Sequence, residues 1–424
     1  LLNLLFRRHA QLPGGDALRT LLRRTGTGEA ANGNLRPRRG VGLQVAGRIE
    51  HFDDINATAA KPKVGLSWQP TPAVAVRAAW SGGFRAPNLV QLNRGDVSRL
   101  NLGVEDFWRA DVTGDPASTG AAYVPSVRTS NSELDNEDTQ TIVAGATLDL
   151  ARIFDRAAVR RLTVSFDYWR FRQTGVIGAF GDEEALALDF LLRKQGSSNP
   201  NVERLPVTPD DIAAFAAWNA ANPADQRTAA GQVAFIIDPY INLDSQVADG
   251  FDMALASQWD LGELGRLRVG AEATYLRKLD VVRNELLAAL ADNPAFGNAF
   301  DVLAVDRIRL DGNPRWRATA SFAWRNGPLG FGGSVRYVSS FLDTAADITV
   351  NGEQIFWRVE DSVRLNTYVE VDAPVGRGRD LKLRFGINNA LDSAPPLADE
   401  SLGYRPDYHQ FDGREYYVAV RGAF

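Results

Sequence analysis

From Gly40 to Phe424, apolar and polar residues alternate with period two in one segment after another. Leu43, Val45 and Ile49 alternate with Gln44, Arg48 and Glu50, and Val64, Leu66 and Trp68 alternate with Lys63, Ser67 and Gln69. Val74, Val76, Ala78 and Trp80 oppose Arg77 and Ser81. Side chains alternate faces along a strand, so each segment has one apolar face and one polar face. The same rule marks strands over Ile142–Leu150, Leu162–Arg170, Phe251–Trp259, Leu267–Tyr275, Trp316–Trp324, Leu329–Phe341, Val363–Val371 and Leu381–Asn389. In the last segment, Glu415–Phe424, one face holds Tyr416, Val418, Val420, Gly422 and Phe424. The other holds Glu415, Tyr417, Ala419 and Arg421. Twelve strands result, many of ten residues or more, and a tilted strand of about that length crosses a hydrocarbon layer.

The connections alternate in length. Gln69–Pro72, Ala151–Arg160, Asp260–Gly265, Arg325–Pro328 and Ala373–Arg379 form the short set, with an Asn326-Gly327 hairpin signal in the fourth. Asp53–Ala60, Gly82–Asp138, Gly175–Ala248, Asp280–Gly312, Leu342–Asp361 and Ala390–Gly413 form the other set. Short turns at one end and long loops at the other are the layout of an all-β, antiparallel, up-and-down transmembrane barrel with its long loops extracellular. Two helices are expected inside Gly175–Ala248. Asp182–Lys194 starts with acids and ends with Arg193-Lys194, matching the helix dipole. Thr208-Pro209-Asp210-Asp211 supplies an N-cap and a first-turn proline, with Ile212, Phe215 and Trp218 following on one face.

Residues 1–39 differ from this pattern. LLNLLFRRHAQL and DALRTLLRRTG form short basic amphipathic stretches before a Gly/Asn/Arg/Pro linker, which sets 1–39 apart as an atypical, truncated or misjoined N-terminal segment and 40–424 as the barrel. Eight Arg there stand against Asp16 and Glu29, a balance of +6; residue 40 onward holds 39 basic and 50 acidic residues, or −11. An acidic body makes nucleic acid a poor partner. The absence of Cys removes disulfides and thiolate sites, and His9, His51 and His409 lie too far apart for a helical metal pair. No cofactor or metal site is expected. No apolar run reaches about 18 residues, so helical spans are excluded.

Five stretches carry a family resemblance. Trp80-Ser81-Gly82-Gly83-Phe84-Arg85-Ala86-Pro87-Asn88-Leu89 resembles the GFRAP signature of TonB-dependent outer-membrane receptors. Asn131–Thr139 is similar to the family's NP-L-PE-S/T segment, with Ser132 and Asn136 in place of two prolines and Asp138 where a small residue is common. Asn242–Asp252 resembles the run before a mid-barrel strand, Gly386–Asp392 resembles G-NNL-D, and Tyr416–Phe424 resembles the terminal strand. The resemblance implies an outer-membrane receptor that binds a scarce nutrient, such as a siderophore, another metal chelate or an oligosaccharide. It implies a plug inside a 22-strand barrel, a TonB energy-coupling protein acting on an N-terminal box, and the barrel assembly machinery as a further partner. Twelve strands then correspond to the C-terminal portion of such a barrel, lacking the plug, the coupling box and the first strands.

Individual residues follow from this frame. Pro87 should end strand β-pairing and Arg85 should meet an acid from a loop or the plug. Arg77, Arg268, Arg317, Arg336, Arg364, Lys382 and Arg384 should give a strongly basic lumen facing the plug, while Val418 and Val420 face lipid and Arg421 faces the lumen. No ligand-binding residue can be assigned. A self-contained twelve-strand passive pore is the alternative. A barrel enzyme needs a nucleophile and base on one face, and no Ser–His pairing is legible, with His51 on an apolar face and His409 in a loop. A soluble sandwich would expose large apolar stripes to water.

Overall fold

The computed structural model of the protein describes residues 40–52, 57–93, 95–154, 158–282, 289–290, 293–296, 306–351, 353–374 and 380–422. Residues 1–39 and Phe424, for which expectations were stated above, lie outside them. The strands are β1 (Gly40–Phe52), β2 (Ala57–Thr71), β3 (Val74–Arg85), β4 (Val97–Asn101), β5 (Val124–Thr129), β6 (Glu137–Asp149), β7 (Val159–Ala179), β8 (Val202–Arg204) and β9 (Val233–Asp260). After these come β10 (Arg266–Val282), β11 (Trp316–Asn326), β12 (Leu329–Val338), β13 (Phe341–Val350), β14 (Glu353–Val359), β15 (Ser362–Pro374), β16 (Asp380–Asn388) and β17 (Glu415–Gly422). Twelve of them form one antiparallel path in chain order, β1-β2-β3-β6-β7-β9-β10-β11-β12-β15-β16-β17, and these are the twelve that alternation marks. Among the described residues no pairing joins β1 to β17.

The ladder register fixes which face is which. Across β15, β16 and β17, Val369, Phe385 and Val418 stand in one row, and Glu370, Arg384 and Ala419 in the next. The first row belongs to a continuous apolar surface that includes Leu43, Trp68, Trp80, Ile142, Phe166 and Val420, all exposed. Such a surface is stable only against lipid, and it is the outer face. The opposite face carries the polar and charged residues and is the lumen. On the outer face an aromatic chain crosses four strands, from Phe166 and Tyr168 through Phe251 and Tyr275 to Trp316, with centroid spacings of 4.6–6.4 Å. Phe251 and Tyr275 lie nine residues above their short turn, the height of an upper interfacial girdle.

The buried core is elsewhere. It lies in the long loops, where Phe107, Trp108, Val124, Leu186, Phe190, Phe215 and Ile236 pack in one cluster. The expected helices supply part of it: α1 (Asp182–Lys194) and α2 (Pro209–Ala221), the latter started by a Thr208–Asp211 capping box. Phe215 is buried but Ile212 is 57% exposed, so the expected stripe is only partly used.

Several boundaries move. The connection expected at Asp53–Ala60 is shorter, since β2 begins at Ala57 and pairs it with Phe52. The strand expected over Leu329–Phe341 stops at Val338, because Phe341 leaves the ladder, buries its ring beside Tyr408 and opens the separate β13–β14 hairpin. The loop Gly175–Ala248 is narrower than expected. β7 and β9 stay paired as far as Ala179 and Tyr240, beyond a register shift at Gly175 (φ +64°) that breaks the alternation.

Candidate functional site

Several luminal cations in the lower wall are paired with acids, which corrects the expectation of a simply basic lumen. Neighbouring strands supply the acids. Arg77 on β3 reaches across β6 to Asp167 on β7 with a two-pronged bond of 2.8 and 2.6 Å. Gly145 lies between them in register, and a Cβ there would stand 1.9 Å from the Asp167 carboxylate. Arg325 on β11 similarly crosses Gly330 to Glu370 and Asp372 on β15, while Arg384 and Lys382 on β16 approach the same acids at 2.7 and 3.2 Å. Above this network glycines alternate with tyrosines across four strands, Gly332, Tyr368, Gly386 and Tyr417. A Cβ on Gly386 would meet the Tyr417 ring at 2.2 Å, so the glycines are seats for the rings.

The upper wall is different. Arg336 on β12 stands directly opposite Arg364 on β15, and Arg317 on β11 lies diagonally across from Arg336. Like charges facing each other on adjacent strands are destabilising. Arg317 and Arg336 have no ion-pair partner among the described residues, and Arg268 lower on the wall has none either. Among the described residues Arg364 has Asp412 at 4.0 Å and the Gln410 carbonyl at 3.4 Å. The three arginines lie at the long-loop ends of their strands and face the lumen, which leaves a concentrated positive charge where an external solute would enter.

The loop between β16 and β17 folds onto this cluster. Tyr408 donates to the Gly312 carbonyl at 2.6 Å, and Arg405 to that of Asp311 at 3.3 Å. His409 is buried with its Nδ1 3.2 Å from Ser362 Oγ, a Ser–His contact that the sequence did not reveal. Burial and the nearby Arg336 hold its pKa below the ordinary value, so the ring is neutral and latches the loop to β15.

At the other edge, Pro87 follows the end of β3 as expected, and Arg85 is directly opposite Glu137, the first residue of β6. Glu137 is completely buried and also accepts from Gln173 Nε2 at 2.5 Å and the Ile177 amide at 2.8 Å. The GFRAP-like and NP-L-PE-like stretches thus meet in one ion pair that ties three strands where they leave the lipid. Above it, the loop cluster is held by buried charges: Arg204 between Asp106 and Asp189, Arg109 on Asp211, and Arg99 with Arg128 on Asp238. Glu183, at the start of α1, has its pKa pushed up to about 7 by burial and by Glu184 and Glu105. Sequence reasoning missed these residues because their partners are about 100 positions apart, as with Arg204 and Asp106. No cluster of His, Cys, Asp or Glu suited to a metal exists among the described residues.

Comparison with known proteins agrees with this architecture. A family model for the TonB-dependent receptor-like β-barrel matches residues 21–390. No curated protein matches significantly. Among solved structures, the ferric enterobactin receptor PfeA of Pseudomonas aeruginosa, in complex with enterobactin, aligns with a TM-score of 0.53 at 14% identity, covering 92% of this chain and 44% of that one. The siderophore receptor PirA of Acinetobacter baumannii gives 0.52 at 11% identity over 91% and 44%, and the outer-membrane transporter YddB of Escherichia coli 0.51 at 10% over 91% and 43%. The chain therefore spans less than half the length of these structures. At such identities they show the fold alone, and it is the family match over most of the chain that identifies it. Proteins of this family are transporters rather than enzymes, and the chain belongs to the TonB-dependent receptors of the bacterial outer membrane.

Proposed function

We propose that this chain is the C-terminal barrel portion of a receptor that captures an anionic ferric chelate of the siderophore class from outside the cell. The luminal cluster of Arg317, Arg336 and Arg364 carries the reading. Two facing arginines beside a wall that pairs Arg77, Arg325 and Arg384 with acids are maintained at a cost, and a multivalent anion at the mouth would offset it. The siderophore receptors with a similar fold support the substrate class. In the intact receptor, a plug within a 22-strand barrel and a TonB energy-coupling protein complete the transport cycle, and the barrel assembly machinery inserts the protein. Arg77, Arg325, Lys382 and Arg384 lower in the lumen are already paired within the wall, unlike this upper cluster.

The test is binding of ferric siderophores to the intact receptor, followed by tryptophan quenching, with the iron-free ligands and neutral maltose oligosaccharides as controls. Arg336→Gln and Arg364→Gln are each expected to weaken an anionic ferric chelate by about tenfold or more, the loss of one charge-assisted contact. Iron uptake by cells should stop when the coupling protein is deleted. Unchanged affinity in both variants would reject the ligand assignment, and a stable ion conductance through the wild-type protein without the coupling protein would favour a passive pore.

A further inference from the structure

On the lipid side of the wall, directly above the aromatic chain, stands a second set of cations. Arg170 and Arg172 on β7 share the outward parity of Phe166 and Tyr168 and lie two and four residues beyond Tyr168, roughly 5 and 10 Å farther from the midplane for a tilted strand. Both are exposed, and neither has an ion-pair partner among the described residues. Arg277 joins them from a bulge in β10 that turns its side chain outward, where it grips Asp249 through bonds of 2.7 and 2.6 Å. Asp249 is directly opposite Arg170 in register and is 1% exposed, so the buried carboxylate that holds Arg277 lies across the ladder from Arg170. Arg315 lies at the edge, donating to the Tyr275 hydroxyl at 3.3 Å. The flanking pairs Lys61–Asp138 and Lys278–Asp280 are neutral, so among the described residues four arginines stand against Asp249.

An arginine on the lipid face is costly in hydrocarbon but not at the headgroup level, where the apolar stem can lie on the girdle and the guanidinium can reach anionic groups. We propose that Arg170, Arg172 and Arg277 form a docking site for the phosphate of a phosphorylated lipid in the outer leaflet. The forked guanidinium geometry suits phosphate oxygens, and Asp249 fixes Arg277 while leaving Arg170 and Arg172 free to close on the ligand. The aromatic chain below supplies the surface for the acyl chains. This site is separate from the luminal cluster and does not depend on the transported solute.

The experiment is lipid retention by the intact receptor in detergent, read by native mass spectrometry with bis-phosphorylated lipid A as probe. Dephosphorylated lipid A and inorganic phosphate serve as comparison probes. Wild type is expected to retain the phosphorylated lipid, the Arg170→Gln/Arg172→Gln protein to retain about tenfold less, and Arg170→Lys/Arg172→Lys to keep most of it. Heat-modifiable gel mobility verifies folding, and the single Arg172→Gln variant, expected to show a partial loss, replaces the double one if that fails to fold. Equal retention in the Gln variants, equal retention of dephosphorylated lipid, or displacement of the lipid by millimolar inorganic phosphate would each overturn the proposal.

Discussion

Arginine placed at Val418 or Val420 tests the assignment of faces and reads the membrane depth of the last strand. Val418 pairs with Phe385, five residues above Asp380 at the short-turn end of β16, and Val420 pairs with Leu383, three residues above it. At about 3.3 Å per residue and a tilt of about 40°, these heights are roughly 13 and 8 Å above the turn. An apolar band of about 25 Å has its midplane near 12 Å, so Val418 is at mid-depth and Val420 lies below it. Val418→Arg should cost about 2–4 kcal/mol, with Val420→Arg between that and the ~0–1 kcal/mol of the interface. Arg421→Ala, on the luminal face opposite Lys382, removes a group among other cations and should be nearly neutral. The assay is the folded fraction by heat-modifiable mobility across a urea series in vesicles, with the intact receptor. Arg421→Ala more damaging than Val418→Arg would reverse the faces and remove the basis for all twelve strands.

Gly145→Ala should destabilise by about 1–3 kcal/mol, since its Cβ collides with the Asp167 carboxylate and the Phe166 carbonyl and displaces Arg77; an unchanged urea midpoint would contradict the bridging role. Arg204→Met leaves Asp106 buried without its cation and Asp189 with Arg193 alone, and should cost the loop cluster about 3–5 kcal/mol. Limited proteolysis should then cut the loops faster while the strands stay protected, and cutting at the wild-type rate would refute this. Glu183 binds its proton more tightly folded than unfolded, so the stability it confers is complete below the ordinary glutamate pKa of 4.5 and is lost as pH rises through about 7. Glu183→Gln should flatten the thermal stability of the loop cluster across that window, measured as melting temperature against pH; an unaltered slope would rule out this carboxyl as its source.

The period-two pattern determined all twelve wall strands, their order and their faces, because membrane strands must satisfy every backbone group with neighbours and expose apolar side chains to lipid. It also placed α1 and α2, whose caps and charged ends are local signals. The pattern failed where strands continue past the lipid. Above the girdle the alternation no longer has a physical cause, and a single left-handed Gly175 shifts the register of β7. The alternation also marks luminal cations without their counter-charges. Arg77 finds Asp167 only because Gly145 opens a gap on the strand between, whereas Arg336 meets another arginine. Which charges are neutralised and which stay free is set by register across strands distant in the chain, and only the tertiary structure decides it.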